Sequence, residues 1–271
     1  PKGIMLATVR ENGRNGVYAT VEATQYTDLS YPAWVAVDAA GPTGETNMNV
    51  AMAFFPFAGG WTGGHVNAAG TLWASNNIDA GMLTHLSTGQ WTLDIPGVDS
   101  TTDGLLFAIG GGNSDRVVTP GVVETGVNQG TWQLAIRGNN QDGSSYVDSN
   151  FSFLYLSDGM RNLVGGRVDE TGSLLQAYGD FDLTRLATGQ YELAISGESP
   201  ETGMLLLSAS KIWDTGVVED NYLSYEAYGV DGTHFLIESR DLPGTGLQDT
   251  DFVFAFLKFD DPMLVPEPSA M

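Results

Sequence analysis

Apolar residues along this chain come in runs of about five to eight, set apart by Gly, Asn, Asp and Thr, and no stretch holds a helical period between capping residues. Tyr191-Glu192-Leu193-Ala194-Ile195 alternates apolar and polar positions, as does Trp91-Thr92-Leu93-Asp94-Ile95; a period of two is the mark of a half-buried antiparallel strand. Phe252 to Leu257 is apolar at every position, which predicts a strand covered on both faces or one that meets a neighbouring repeat. Asp231-Gly232, Asp103-Gly104 and Glu170-Thr171-Gly172 supply turn signals between these runs. The pattern predicts an all-β protein.

The pattern also repeats. Leu83-Thr84-His85-Leu86-Ser87-Thr88-Gly89-Gln90-Trp91-Thr92-Leu93 returns as Leu183-Thr184-Arg185-Leu186-Ala187-Thr188-Gly189-Gln190-Tyr191-Glu192-Leu193, and Gly63-Gly64-His65-Val66 returns as Gly165-Gly166-Arg167-Val168. A third copy of the second half opens the chain: Gly3-Ile4-Met5-Leu6 parallels Gly104-Leu105-Leu106 and Gly203-Met204-Leu205, and Asn49 to Phe54 parallels Asn150 to Tyr155 and Asp251 to Phe256. The resulting parse is an incomplete repeat at 1–60, full repeats at 61–161 and 162–260, and a terminal linker at 261–271. With about seven or eight strands per repeat, the expected fold is tandem antiparallel β-sandwich-like repeats of about 100 residues. A propeller-like or solenoid stacking of the same units is the alternative, because repetition does not say whether each unit closes its own core. A half sandwich at 1–60 would leave unpaired strand edges, which predicts completion by a strand in trans and head-to-tail self-association, or else a truncated chain.

Charge narrows the partners. Thirty-three acidic residues against eleven basic ones give a formal charge of −22, which repels phosphate backbones and argues against nucleic acid. The chain has no cysteine, so each core must hold without disulfides or thiolate metal sites. A first residue of Pro with no leader in view predicts that something precedes it.

At the other end, Val265-Pro266-Glu267-Pro268-Ser269 resembles the start of the PEP-CTERM sorting signal of Gram-negative bacteria. The resemblance rests on Pro266, Glu267 and Pro268 and covers only this short segment. It implies processing by an exosortase-type membrane peptidase and residence at the cell surface or outside the cell. In that family an apolar helix and a basic tail follow the motif, and this sequence stops at Met271, before the place of either; Pro-Glu-Pro also occurs in extended linkers, where proline fixes φ.

Candidate chemistry is sparse. G-x-S-x-G, H-E-x-x-H and P-loop motifs are absent. His65, His85 and His234 occupy unrelated positions, and water-facing surface sites are expected for all three. Loops holding Asp99 and Asp103, Asp142, and Asp249 and Asp251 offer clustered hard oxygen donors suited to structural calcium, though none has the spacing of an EF-hand loop and Asx-rich turns account for the same residues. No other cofactor is expected. Trp61 and Trp213 lie in Gly- or Asp-flanked segments where an exposed indole could stack on a sugar; Trp91, replaced by Tyr191 at an inward strand position, reads as core. Lys2, Lys211 and Lys258 are not equivalent in the repeat, so no repeated isopeptide crosslink is expected. Together these residues point to a non-enzymatic extracellular structural or adhesive protein, able to assemble into filaments. The alternative is a carbohydrate-binding module for extracellular polysaccharide, and a hydrolase with an unrecognised carboxylate pair ranks below both.

Overall fold

The computed structural model describes residues 3–10, 18–23, 35–41, 44–45, 48–59, 61–111, 116–124, 129–138, 145–160, 162–212, 221–242 and 246–260. Apart from two short 3-10 turns, their regular structure is β: β1 (Gly3–Arg10), β2 (Tyr18–Ala23), β3 (Val35–Gly41), β4 (Gly44–Glu45), β5 (Asn49–Pro56), β6 (Thr62–Val66), β7 (Leu72–Asn76), β8 (Leu83–Ser87), β9 (Gln90–Leu93), β10 (Leu105–Gly111), β11 (Arg116–Val122), β12 (Trp132–Gly138), β13 (Asn150–Leu156), β14 (Val164–Val168), β15 (Leu174–Tyr178), β16 (Asp182–Ala187), β17 (Gln190–Ala194), β18 (Gly203–Ala209), β19 (Lys211–Ile212), β20 (Tyr222–Tyr228), β21 (His234–Arg240) and β22 (Phe252–Lys258).

Strands β6 to β13 make one sandwich, with the sheet β10-β13-β6-β7 laid against β11-β12-β9-β8. The alternation read in the sequence decides which side chains fill it: Trp91 and Leu93 from β9, Trp132 and Leu134 from β12, and Phe151 and Phe153 from β13 form its core. Strands β14 to β22 repeat the arrangement as β18-β22-β14-β15 against β20-β21-β17-β16. The aromatic contacts recur with it. Tyr191 meets Phe252 at 4.9 Å where Trp91 meets Phe151 at 6.0 Å, and Phe235 meets Phe256 at 5.8 Å where Trp132 meets Tyr155 at 5.4 Å. The Thr-Gly-Gln turn before β9 and β17 is invariant between the two for a steric reason. Gly89 and Gly189 have φ of +65° and +64°, and a Cβ at either would stand 2.6 Å from backbone, Val147 N in one case and Ser239 O in the other.

The first 60 residues contribute β1 to β5 in the register of the later second halves. Ile4 opposes Phe55 across β1 and β5, Leu105 opposes Leu156 across β10 and β13, and Met204 opposes Leu257 across β18 and β22. β2 pairs with β3 as β11 pairs with β12 and β20 with β21.

The three leading strands β1, β10 and β18 touch one another at the centre, and each also reaches the following strand of a different repeat. β1 pairs in parallel with β20 through Val9 and Ser224; β19, which continues β18, pairs in parallel with β11; β10 lies against β2. The links run first repeat to third, third to second and second to first, closing a cyclic arrangement. The second repeat closes a core of its own, whereas the core of the third runs on through Leu205 and Phe256 into Ile4, Leu6, Leu105 and Phe107, so the three second halves share a centre that the repeat pattern alone did not reveal.

Candidate functional site

The strand equivalent to β13 and β22 in the first repeat is β5, and its second edge sets it apart. β13 is paired by β10 on one side and β6 on the other, and β22 by β18 and β14; β5 is paired by β1 alone among the described residues. Its outer side chains reflect this. Met52 and Phe54 are 53% and 51% exposed, whereas Phe153 and Tyr155, at the same positions of β13, are 0% and 6% exposed, and Phe254 and Phe256 of β22 are 0% and 5%. Two large apolar side chains on an edge that no second described strand pairs form an adhesive surface, because apolar area and strand-edge N–H and C=O groups both gain by pairing.

The equivalent edges show how such a surface is closed. β6 runs antiparallel to β13 with Gly64 opposite Phe153, Gly63 opposite Leu154 and His65 opposite Ser152; β14 runs antiparallel to β22 with Gly166 opposite Phe254, Gly165 opposite Ala255 and Arg167 opposite Val253. His65 and Arg167 are both buried, at 3% and 4% exposure, which corrects the expectation that His65 faces water. It is covered on both faces of its strand because the neighbouring repeat packs there. Its Nε2 lies 2.7 Å from the Gly3 carbonyl, which can only accept, so Nε2 carries the proton and Nδ1 accepts from the Ser152 hydroxyl at 2.6 Å. Burial is the main force holding this imidazole below its usual pKa, only partly opposed by the bond to Gly3. Arg167 instead reaches Glu124 of the preceding repeat at 3.3 Å. One basic position thus seals two successive seams.

His85 and His234 are partly exposed, and both are engaged. His85 stacks on Trp91 at 4.1 Å and bonds to Asp148 at 2.9 Å, and His234 lies 2.5 Å from Glu192. In the third repeat Arg185 takes the place of His85 and Asp249 that of Asp148. Asp148 accepts from Gly89 N–H at 2.7 Å, and Asp249 accepts from Gly189 N–H at 2.8 Å while pairing with Arg185. The signal for this latch lay in the repeat itself, in a basic residue that stays basic and an acidic residue that stays acidic, about 63 positions apart.

Among the described residues the calcium candidates of different loops are not gathered into one site. Asp99 and Asp103 share one turn: Asp99 accepts from Thr101, and Asp103 accepts from Asp99 N–H. The bonds from Thr101 hold the Asp99 carboxyl below the usual carboxylate range. Burial pushes the Asp249 carboxyl up, but bonds from Arg185 and Gly189 outweigh it and leave a net downward shift. Asp251 accepts from Glu170 N–H at 2.8 Å. Among the described residues no three His, Asp or Glu side chains converge to hold a metal ion. Asp142, Trp213 and the Pro266-Glu267-Pro268 motif lie outside the described residues.

Trp61 corrects another expectation. It is 5% exposed and packs edge-on against Phe55 at 4.9 Å, so it presents no indole to a sugar. Where β1, β10 and β18 converge, a cavity of about 70 Å³ is lined by Leu6, Thr8, Phe107, Ile109, Leu206 and Ser208, well below the size that encloses an organic ligand. Two open clefts, of about 670 and 560 Å³, sit at equivalent loops beside Ile195 and Ile95. Among the described residues the carboxyl groups with displaced acidity, Asp99, Glu198, Asp231 and Asp249, all shift downward, opposite to what a general acid needs. Compared with protein-family models, with curated proteins and with solved structures, the chain matches none.

Proposed function

We propose that this chain is a non-enzymatic structural protein of the bacterial cell exterior, joined to neighbouring chains through the open edge of β5. The observation that carries this reading is the exposure of Met52 and Phe54 at positions whose equivalents in both full repeats are sealed. Strand addition at such an edge supplies affinity through main-chain hydrogen bonds and apolar cover together. The strong negative charge keeps assembled material soluble, and the Pro266-Glu267-Pro268 resemblance supports an exosortase-processed surface protein of a Gram-negative bacterium. The carbohydrate-binding alternative loses Trp61 as a stacking platform.

Sedimentation and negative-stain electron microscopy over a concentration series test the reading, with wild type beside a Met52→Lys/Phe54→Lys variant. Concentration-dependent association that the variant lacks is the expected result. Association unchanged in the variant, or a monomer throughout whose β5 amides exchange slowly, would overturn it.

A further inference from the structure

The two closed edges specify what the third one takes, if β5 is an assembly edge as proposed above. A Cβ on Gly63 would stand 2.4 Å from the Phe153 carbonyl oxygen and 2.3 Å from Ile4 Cδ1; on Gly165 it would stand 2.5 Å from the Phe254 carbonyl oxygen and 3.0 Å from Leu105 Cδ1. The obstacle is backbone on one side and a core side chain of the preceding repeat on the other, so neither can yield. The matching atoms at the third edge belong to Met52 and Met204. The next glycine lies against an aromatic ring, with Phe153 Cε1 3.4 Å from a Cβ on Gly64 and Phe254 Cε1 3.3 Å from one on Gly166; Met52 occupies that place in β5. After the glycines comes the buried basic residue. The Gly3 carbonyl accepts from His65 and the Gly104 carbonyl from Gln176 of the following repeat, and Gly203 is the third member of this set.

We infer that the β5 edge is a binding site for an antiparallel strand of a partner chain carrying the sequence character Gly-Gly-basic-Val. Its first glycine sits opposite Ala53, its second opposite Met52, its His or Arg opposite Ala51, and its Val opposite Val50. Any larger residue at the first glycine collides with the Met52 carbonyl, so the edge discriminates by size against ordinary β-strands. A basic third residue also suits a chain whose net charge is −22.

The probe is a synthetic hairpin peptide of residues 162–180, holding β14 and β15, added to the full chain while hydrogen exchange is followed by mass spectrometry over residues 49–56. The peptide is expected to slow exchange there with half-saturation below about 1 mM, to displace any self-association, and to lose at least about tenfold in affinity when it carries Gly165→Val. Four results overturn the inference. Equal protection by both peptides removes the glycine requirement and leaves the assembly reading standing. Fast exchange that neither peptide slows does the same. Slow exchange in an associated species that the peptide does not displace assigns the edge to a second copy, again sparing the assembly reading. Slow exchange in an unassociated chain overturns both.

Discussion

β5 and β13 each pair on one side with the leading strand of their half-repeat, in the same register. On the other side β13 meets β6, and among the described residues β5 meets no strand. Their sequences, Asn-Val-Ala-Met-Ala-Phe and Asn-Phe-Ser-Phe-Leu-Tyr, are both predominantly apolar, yet Phe153 and Tyr155 are sealed while Met52 and Phe54 are exposed. Apolar character in a strand reports that a face is meant to be covered; the covering residues lie elsewhere in the chain or in another chain. The contrast is sharpened by Gly63 and Gly165, whose lack of a side chain is demanded by the strand they cover.

The largest expected effect tests whether the two strands differ in solution as they do in structure. Phe153→Ala should destabilise the chain by about 3–5 kcal/mol, as loss of a buried phenyl ring does, whereas Met52→Ala should change stability by less than about 0.5 kcal/mol; urea denaturation of both variants checks this, and equal losses would mean that β5 is covered in solution. Next, Gly165→Val in the full chain should destabilise by about 1–3 kcal/mol through overpacking against β22, and a neutral result in the same denaturation would remove the basis for the glycine rule. Asp249→Ala leaves the Gly189 N–H and Arg185 without their partner; with the pair partly in water, about 1 kcal/mol should be lost, and thermal melts at low and high salt separate the hydrogen bond from the ion pair.

The smallest effect concerns the seam that β5 lacks. The native pKa of His65 lies below its unfolded value of 6.5, so between the two the unfolded chain binds a proton that the native chain does not. Stability should therefore fall as pH drops below about 6.5 and be untouched above it. His65→Gln, which keeps a donor for Gly3 but cannot titrate, should show a shallower decline between pH 7.5 and 5.5 in melting temperature; parallel slopes would mean that His65 is not held neutral.

Much of the fold was legible. The alternation in Trp91-Thr92-Leu93 located the core, and the unbroken run from Phe252 to Leu257 announced a strand covered on both faces, which β14, β18 and the core packing supply. What stayed hidden depends on contacts between segments far apart. His65 read as a surface residue because nothing in Gly-Gly-His-Val says that a neighbouring repeat closes over it, and Trp61 read as exposed because glycines next to an aromatic look the same whether its ring is exposed or buried. The Asp249 latch was within reach, since the paired exchange of His85 and Arg185 against a constant acid is visible in the repeats. The side chains of β5 were half legible: Asn49 to Phe54 matched two strands that are covered, while the exposure of Met52 and Phe54 needed the register.

The parallel contact between Val9 and Ser224 carries a consequence for how the molecule comes into being. A ribosome delivers β1 first and β20 more than two hundred residues later, so β1 must wait, its final neighbours unmade, while the second repeat can already condense around its own core. Such long-range closure is slow, and the waiting strand is as sticky as any exposed edge. A protein built this way closes its centre only after its last strands have emerged.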